Sequence, residues 1–308
     1  MIARYRRPVA GFLLVLAIAR GASARQTDAS ATSRAALVAR LDSIATDFIT
    51  ASPAAGMTIA VVSRRDTLLL KGYGERDREK HLPADANTVY RIASITKQFT
   101  AAAVMRLVER GAVRLEDPVT KFLPQYPQWS SVTVRQLLNH TSGIESYTST
   151  PEWRKQWNDD LTPAQLVAFV EKAPFDFAPG GDWSYDNTGY VLLGMLLEKV
   201  TKQPYAALVA RQFFQPLGMR SATYCPSRPS DDAYAVGYDE ENGKYARSQH
   251  LSMTHPYSAG GLCMSVPVVA FINTNGAEQN WLVDNLASAV FGMPVKPKNP
   301  PAAPIQVR

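Results

Sequence analysis

The chain of 308 residues is 46% apolar and 19% charged, an ordinary soluble composition that provides for one large domain or two small ones. Its net charge of +6 owes much to residues 1–24, which hold four arginines and no acid. Without them, 29 basic residues face 27 acidic ones, a net charge of +2. Because no basic face is clustered, composition argues against a nucleic acid partner.

Residues 1–24 have the three parts of a secretory signal: a basic start, an apolar run and an A-x-A site at Ala22–Ala24. The run, Val9–Ala19, is too short to span a bilayer as a stable helix. The alternative is an uncleaved anchor. We expect cleavage and export, which would leave a periplasmic or secreted protein with no membrane contact.

The two cysteines, Cys225 and Cys263, could pair in an oxidising compartment or remain as two buried free thiols. The sequence alone leaves both open. No C-x-x-C or H-E-x-x-H spacing occurs, so no metal site is predicted.

Three elements are predicted before residue 90. Segment 33–50 has apolar residues at helical spacing and predicts an amphipathic helix. Segments 57–63 and 67–73 are rich in β-branched and aliphatic residues, and predict an antiparallel hairpin. The helical spacing is carried by Leu37, Leu41, Ile44 and Phe48.

The segment Ile92–Gly111 contains the tetrad Ser94-Ile95-Thr96-Lys97 and predicts a buried central helix. In a helix that begins near Ser94, Lys97 lies about 4.5 Å further along the axis on nearly the same face. A lysine held there can take the serine proton if its pKa is lowered. The S-x-x-K pattern is short, and alone it is also compatible with an N-cap serine and a solvated lysine.

The middle of the chain is predicted to be mainly helical, and its end returns to a strand and a helix. Polar residues close the helix that ends at Leu138; His140 could act as a base for Ser142, but a polar turn is the favoured interpretation. The predicted helices cover 132–138, 162–172 and 190–200, and 204–224 is predicted to be a helix and a turn. Segments 112–130 and 226–250 are irregular, and 258–261 is a glycine turn. Segment 266–273 is predicted to be a strand that either lies at a sheet edge or begins only at Val268, and 278–291 is a helix.

This order of elements predicts an α/β fold. Its antiparallel sheet is built from both ends of the chain and flanked by helices, with a helical lobe inserted over about 112–222. We assign residues 25–292 to this domain. Residues 293–308 are rich in proline, and we predict that they are disordered.

A second polar group, Tyr185-Asp186-Asn187, lies directly before an apolar helix, which would support the turn that carries it. A tyrosine hydroxyl near a lysine can relay a proton, and an asparagine side chain can hold a substrate amide.

With the motif at Ser94 preceding it by 91 residues, this combination resembles the serine β-lactamase superfamily. The resemblance is strongest to the branch of class C β-lactamases, D-alanyl-D-alanine carboxypeptidases and related esterases. It covers about residues 36–265, including VTVRQLLNHTSGI, FFQPLGMRSATY and SAGGLCMS.

The resemblance implies a β-lactamase/transpeptidase-like fold whose site lies between the sheet and the helical lobe. It implies that Ser94 is the acylated nucleophile, Lys97 its base and Tyr185 the proton relay to the leaving group. It further implies that Asn187 binds the side-chain amide of a small-molecule or peptide substrate. The Ser94 backbone N–H would form half of an oxyanion hole. No metal or organic cofactor is implied.

The family's third motif, K-T-G or H-x-G, is missing from this sequence. That motif follows the SAGG turn after further helices and strands, whereas here Ser265 runs almost directly into a segment that resembles the family's last strand. We therefore expect an internal deletion near 265–268. Loss of the motif strand removes an oxyanion donor typically worth about 3–4 kcal/mol.

Three interpretations follow from the sequence. The chain is a serine hydrolase acting on a β-lactam, a D-alanyl peptide or an ester by acyl-enzyme transfer. Alternatively, it is a non-catalytic relative that binds peptidoglycan-like ligands, or a non-functional deletion product. The sequence sets neither the substrate nor the oligomeric state.

Overall fold

The computed structural model describes residues 14–63, 66–242, 244–265, 271–272 and 286. The helices are α1 (Leu14–Ala51), α2 (Thr96–Glu109), α3 (Val134–Leu138), α4 (Pro151–Arg154), α5 (Pro163–Ala168), α6 (Asn187–Thr201), α7 (Tyr205–Val209) and α8 (Tyr257–Gly260). The strands are β1 (Gly56–Ser63), β2 (Asp66–Asp77), β3 (Leu82–Pro83), β4 (Tyr90–Arg91), β5 (Thr223–Tyr224), β6 (Tyr238–Glu241), β7 (Lys244–Arg247), β8 (Leu262–Met264) and β9 (Phe271–Ile272).

The main sheet is built from both ends of the chain, as predicted. Its strand order is β3-β2-β1-β9, and β1 pairs antiparallel with β2 on one side and with β9 on the other. The predicted helix 33–50 lies within α1, which packs on this sheet through a core that includes Leu41 and Phe48. The fold class is therefore confirmed.

The inserted helical region has the larger core, with α6 at its centre. Because this helix is apolar on nearly all sides, it can be stable only when other elements surround it. Leu192, Leu193, Leu196 and Leu197 are fully buried there. The smaller sheet β4-β8-β5 lies against this core and leads through β4 into the segment that carries Ser94.

Two predictions for the helical region were wrong in extent. The helix predicted over 162–172 ends at Ala168. The segment 204–224, predicted to be one helix and a turn, contains α7, a five-residue π-helical turn (Ala210–Phe214) and β5. A helix cannot continue through Pro216, because proline lacks the backbone N–H. Gly218 then ends the helical segment, since its φ of +66° is left-handed.

The segment 226–250, predicted to be irregular, contains the hairpin β6–β7. The sequence holds a signal for it that our interpretation missed. Asn242 has φ +54° at the turn, and Asn-Gly between β-forming residues is a strong hairpin pattern.

Several predictions lie outside the described residues. They concern residues 1–13 of the signal, residues 266–268 of the expected deletion, the helix 278–291 apart from Leu286, and the tail 293–308. They stay predictions, as do the domain boundaries. Within the described ranges, no helix is long and apolar enough to cross a membrane.

Candidate active site

Ser94 lies at the centre of a 3-10 turn (Ala93–Ile95) that leads directly into α2. The prediction started the α-helix near Ser94, but it begins two residues later, at Thr96. Ala93 has φ +45°, a conformation that residues with a Cβ rarely adopt. Because such strain persists only where the surroundings impose it, the turn must be held firmly.

Strand β8 holds this turn from both sides. The N–H of Ile92 donates to the carbonyl of Leu262 at 3.0 Å. The N–H of Leu262 donates to Thr96 Oγ1 at 3.2 Å. The nucleophile is therefore fixed between two hydrogen bonds to one strand.

Lys97 is buried and lies among three oxygen atoms. Its Nζ donates to Asn187 Oδ1 at 2.8 Å and to the Ala259 carbonyl at 2.9 Å, and lies 3.3 Å from Ser94 Oγ. A neutral amine has two N–H groups and one lone pair. With the N–H groups on Asn187 and Ala259, the lone pair is left for the serine proton.

Burial makes that neutral form more accessible near neutral pH, although the charged form still predominates. Burial lowers the pKa of Lys97 to about 8, against the opposing charge of Asp186. About a tenth of the lysine is then unprotonated at pH 7.

Tyr185 reaches the same serine from the other side. Its hydroxyl donates to Ser94 Oγ at 2.6 Å, and its ring centroid lies 4.7 Å from Lys97 Nζ. Asp186 is the N-cap of α6 and accepts the Gly189 N–H at 2.8 Å. This cap fixes the start of the helix between Tyr185 and Asn187.

Asp186 itself is deeply buried. Its Oδ2 lies 3.4 Å from Ser142 Oγ, while its Oδ1 has no hydrogen-bond partner in the described part of the chain. Burial raises the pKa of Asp186 to about 7, although the N–H groups of Gly189 and Thr188 oppose that change. A titratable carboxyl therefore lies near the lysine.

His140 contributes more than the polar turn that we predicted. Its Nδ1 accepts the Asp186 N–H at 3.2 Å, and its carbonyl accepts the Ser184 N–H at 3.1 Å. Its ring centroid lies 4.7 Å from that of Tyr185. His140 thus supports the segment that carries Tyr185, while the Ser142 hydroxyl donates to Asp186.

Sequence reasoning did not identify the carbonyl of Ala259, a backbone group without a side-chain signal. The close packing of α8 on α6 places it. A Cβ on Gly194 would lie 2.1 Å from Ser258 Oγ, so only glycine permits this approach. Thr100 Oγ1 donates to the Ser258 carbonyl at 2.7 Å and joins α2 to the same helix.

Asn187 joins the lysine to the wall of a cavity. Its Oδ1 accepts from Lys97, and its Nδ2 donates to Thr148 Oγ1 at 3.1 Å. The cavity has a volume of about 200 Å³. Its lining comprises Arg91, Ala93, Ser94, Tyr147, Thr148, Trp153, Asn187, Leu251, Met253, His255, Pro256, Ala259 and Gly260.

The structure thus brings together the four site residues predicted from sequence, Ser94, Lys97, Tyr185 and Asn187. In the main sheet, β9 is the edge strand next to β1 within the described ranges. No further strand among the described residues pairs with β9. Among the same residues, no group of three His, Cys, Asp or Glu side chains is arranged to hold a metal ion.

The family model for beta-lactamase matches residues 41–270. The PbpX protein of Bacillus subtilis (strain 168) is 28% identical over 208 residues, which are 68% of this chain and 51% of that protein. The chain therefore spans about half the length of this relative.

Two solved structures are similar in both fold and sequence. The D-stereospecific amidohydrolase from Streptomyces sp. is 32% identical with a TM-score of 0.63, covering 74% of this chain and 69% of that one. The D-amino acid amidase from Ochrobactrum anthropi SV3, complexed with D-phenylalanine, is 27% identical with a TM-score of 0.66, covering 74% and 67%.

Fold and site together define a member of the serine β-lactamase and transpeptidase superfamily. The chain belongs to the beta-lactamase family, since the family model covers most of its length. Its relatives of known structure include hydrolases, which supports a serine hydrolase in general.

Proposed function

We propose that this chain is a serine hydrolase that forms a covalent acyl-enzyme on Ser94, with a β-lactam, a D-alanyl peptide or an ester as its substrate. The observation that carries the proposal is one hydrogen-bonded network in which Lys97 and Tyr185 both reach Ser94 Oγ. The amidase and amidohydrolase names of the two similar structures add support for acyl transfer.

In this mechanism, neutral Lys97 takes the Ser94 proton as Oγ attacks the substrate carbonyl carbon. The N–H of Ser94 donates to the oxyanion that forms. As the tetrahedral intermediate collapses, Tyr185 gives its proton to the leaving group and regains one from the protonated lysine. Water then hydrolyses the ester on Ser94, with the same groups moving protons in reverse.

Asn187 has two roles in this proposal. It orients Lys97 through its Oδ1, and its position at the cavity wall lets it contact the substrate's amide. The second lone pair of Oδ1 remains for a substrate N–H. No cofactor takes part in these steps.

A second candidate function is ligand binding without turnover. It is favoured by the missing K-T-G or H-x-G motif in the sequence. Without the second oxyanion donor, acylation would be slower by roughly a hundred- to thousand-fold. Such a relative would hold peptidoglycan-like ligands in the same cavity.

We also propose that the chain acts outside the cytoplasm, in the periplasm or after secretion. The support is the disulfide between Cys225 and Cys263, whose Cα atoms are 5.1 Å apart. Of the two alternatives that the sequence left open, the structure has the pair. Disulfides persist mainly in oxidising compartments.

The test is the intact mass of the purified protein after exposure to a fluorophosphonate, beside Ser94→Ala and the exposed-serine control Ser130→Ala. We expect one adduct on the wild type and the control and none on Ser94→Ala. A folded wild type that gains no adduct would move the assignment to the binding function. A thermal melt without a cooperative transition would favour the deletion product.

A further inference from the structure

The cavity beside Ser94 is walled mainly by apolar and aromatic side chains. We infer that it binds the acyl part of the substrate, that this part carries an apolar side chain of about phenyl size without a cationic group, and that Leu251 and Trp153 select it. The inference rests on the proposed function, since it takes Ser94 as the attacking group. It adds a substrate class that the network around Lys97 does not determine.

The volume sets the size of the group. An apolar protein cavity of about 150 Å³ holds a benzene molecule. The cavity here, at about 200 Å³, has room for a phenyl ring and the methylene that joins it to the scissile carbonyl. Leu251 is half-buried, while Met253 is buried, so this wall combines an adjustable residue with a fixed one.

Trp153 is held before any substrate arrives. Its Nε1 donates to His255 Nδ1 at 2.8 Å, so the ring proton of neutral His255 lies on Nε2 and donates to the Asp159 carbonyl at 2.6 Å. Tyr147 packs edge-on against Trp153 with 5.7 Å between ring centroids, and its hydroxyl donates to the His255 carbonyl at 2.5 Å. A wall fixed in this way loses little entropy on binding.

The charges that face the cavity decide against a cationic acyl group. Both ring nitrogens of His255 are occupied, and burial lowers its pKa, which keeps it neutral. Arg91 also lines the cavity, and within the described chain its guanidinium has no hydrogen bond or ion pair. A guanidinium repels an ammonium group and stays charged at any physiological pH.

The experiment compares kcat/KM for p-nitrophenyl esters of acetate, hexanoate, phenylacetate and 6-aminohexanoate, each divided by its rate in buffer alone. We expect phenylacetate to exceed acetate by about tenfold or more, since filling an apolar pocket typically discriminates at this level. We expect 6-aminohexanoate to fall about tenfold below hexanoate, because its ammonium meets Arg91 in an apolar cavity.

Leu251→Trp is the decisive variant, because it fills the cavity without removing a hydrogen bond, whereas loss of Trp153 would leave His255 Nδ1 unpaired. We expect the phenylacetate rate to fall about tenfold, with acetate little changed. Leu68→Trp, at a partly buried leucine of the other core, is the matched control and should leave the ratio unchanged. Equal rates for the four esters, or a ratio that Leu251→Trp leaves unchanged, would overturn the inference.

A binding measurement separates failure of this inference from failure of the proposed function. On Ser94→Ala protein, saturable quenching of tryptophan fluorescence by phenylacetamide, but not by acetamide, would support the cavity even in a chain that hydrolyses no ester. Leu251→Trp should abolish that saturation. Absence of saturation by phenylacetamide would overturn the cavity assignment, even if Ser94 still forms an adduct.

Discussion

The helical region and the main sheet contribute unequally to the site. Packing of α2, α6 and α8 gathers a serine, a lysine, a tyrosine and an asparagine into one hydrogen-bonded group. The sheet, over the residues that the structure describes, ends at β9 and brings no donor to that group. The proton path is thus a product of local helix packing, whereas a complete oxyanion hole also depends on a strand.

This difference has a chemical consequence. A serine can be activated by its base and still turn over slowly, because oxyanion stabilisation is a separate contribution of about 3–4 kcal/mol for one donor. The comparison therefore predicts a chain that reacts with an activated phosphorus or ester reagent more readily than with an amide. Variants in the helical region test the half of the site that the structure describes.

Lys97→Met should have the largest effect. It removes the base but keeps the volume of the side chain, and general base catalysis is typically worth about 10² to 10⁴ in rate. We expect fluorophosphonate labelling to slow by about a thousandfold, as measured by intact mass over time. Lys155→Met, at an exposed lysine, is the control. Unchanged labelling of a folded Lys97→Met protein would refute the assignment of the base.

Tyr185→Phe should come next, with an effect that depends on the leaving group. A p-nitrophenolate leaves without a proton, whereas an amine must receive one. We expect kcat/KM to fall by about a hundredfold for an anilide and by less for the matching ester. Tyr245→Phe, in the remote hairpin, should change neither. Equal losses on both substrates would exclude proton relay to the leaving group.

His140 is expected to matter through Tyr185 and so to have a smaller effect. His140→Ala removes the acceptor for the Asp186 N–H and the ring beside Tyr185, and we expect about a tenfold loss in kcat from misplacement. His140→Asn should recover most of it, since asparagine tolerates φ near +63° and offers an acceptor.

Rates on the anilide and on the ester, compared in His140→Ala, distinguish a positioning role of His140 from a purely structural one. If it positions Tyr185, His140→Ala must lose more on the anilide than on the ester, as Tyr185→Phe does. A general loss of folded protein would lower both rates equally and leave KM unchanged. That second pattern would limit His140 to a structural role.

Much of this arrangement could be predicted from the sequence, because spacing within one helix is a local property. Ser94 and Lys97 are three residues apart, and helical geometry predicts their approach, although Ser94 lies in the 3-10 turn that precedes α2. The meeting with Tyr185 was inferred from a family resemblance, since no local rule brings residues 91 positions apart together. The Ala259 carbonyl and the support from His140 depend on tertiary packing and backbone groups, which residue types do not encode.

The smallest expected effect concerns the influence of the Asp186 charge on the pKa of Lys97. Ionised Asp186 raises the pKa of Lys97, so it opposes the burial that brings this pKa down to about 8. The rate should rise with pH as Lys97 loses its proton, and Asp186→Asn should move that rise to lower pH. Asparagine still caps α6, which keeps the helix start in place.

The rate of adduct formation between pH 5.5 and 9.5 measures this shift, with the exposed Asp176→Asn as the matched control. A rise that moves to higher pH in Asp186→Asn would mean that the carboxyl is protonated in the reactive state and acts as a donor. A rise that does not move would place the carboxyl outside the field of Lys97. A shift to lower pH would show that the carboxyl of Asp186, at the start of α6, contributes to the basicity of Lys97.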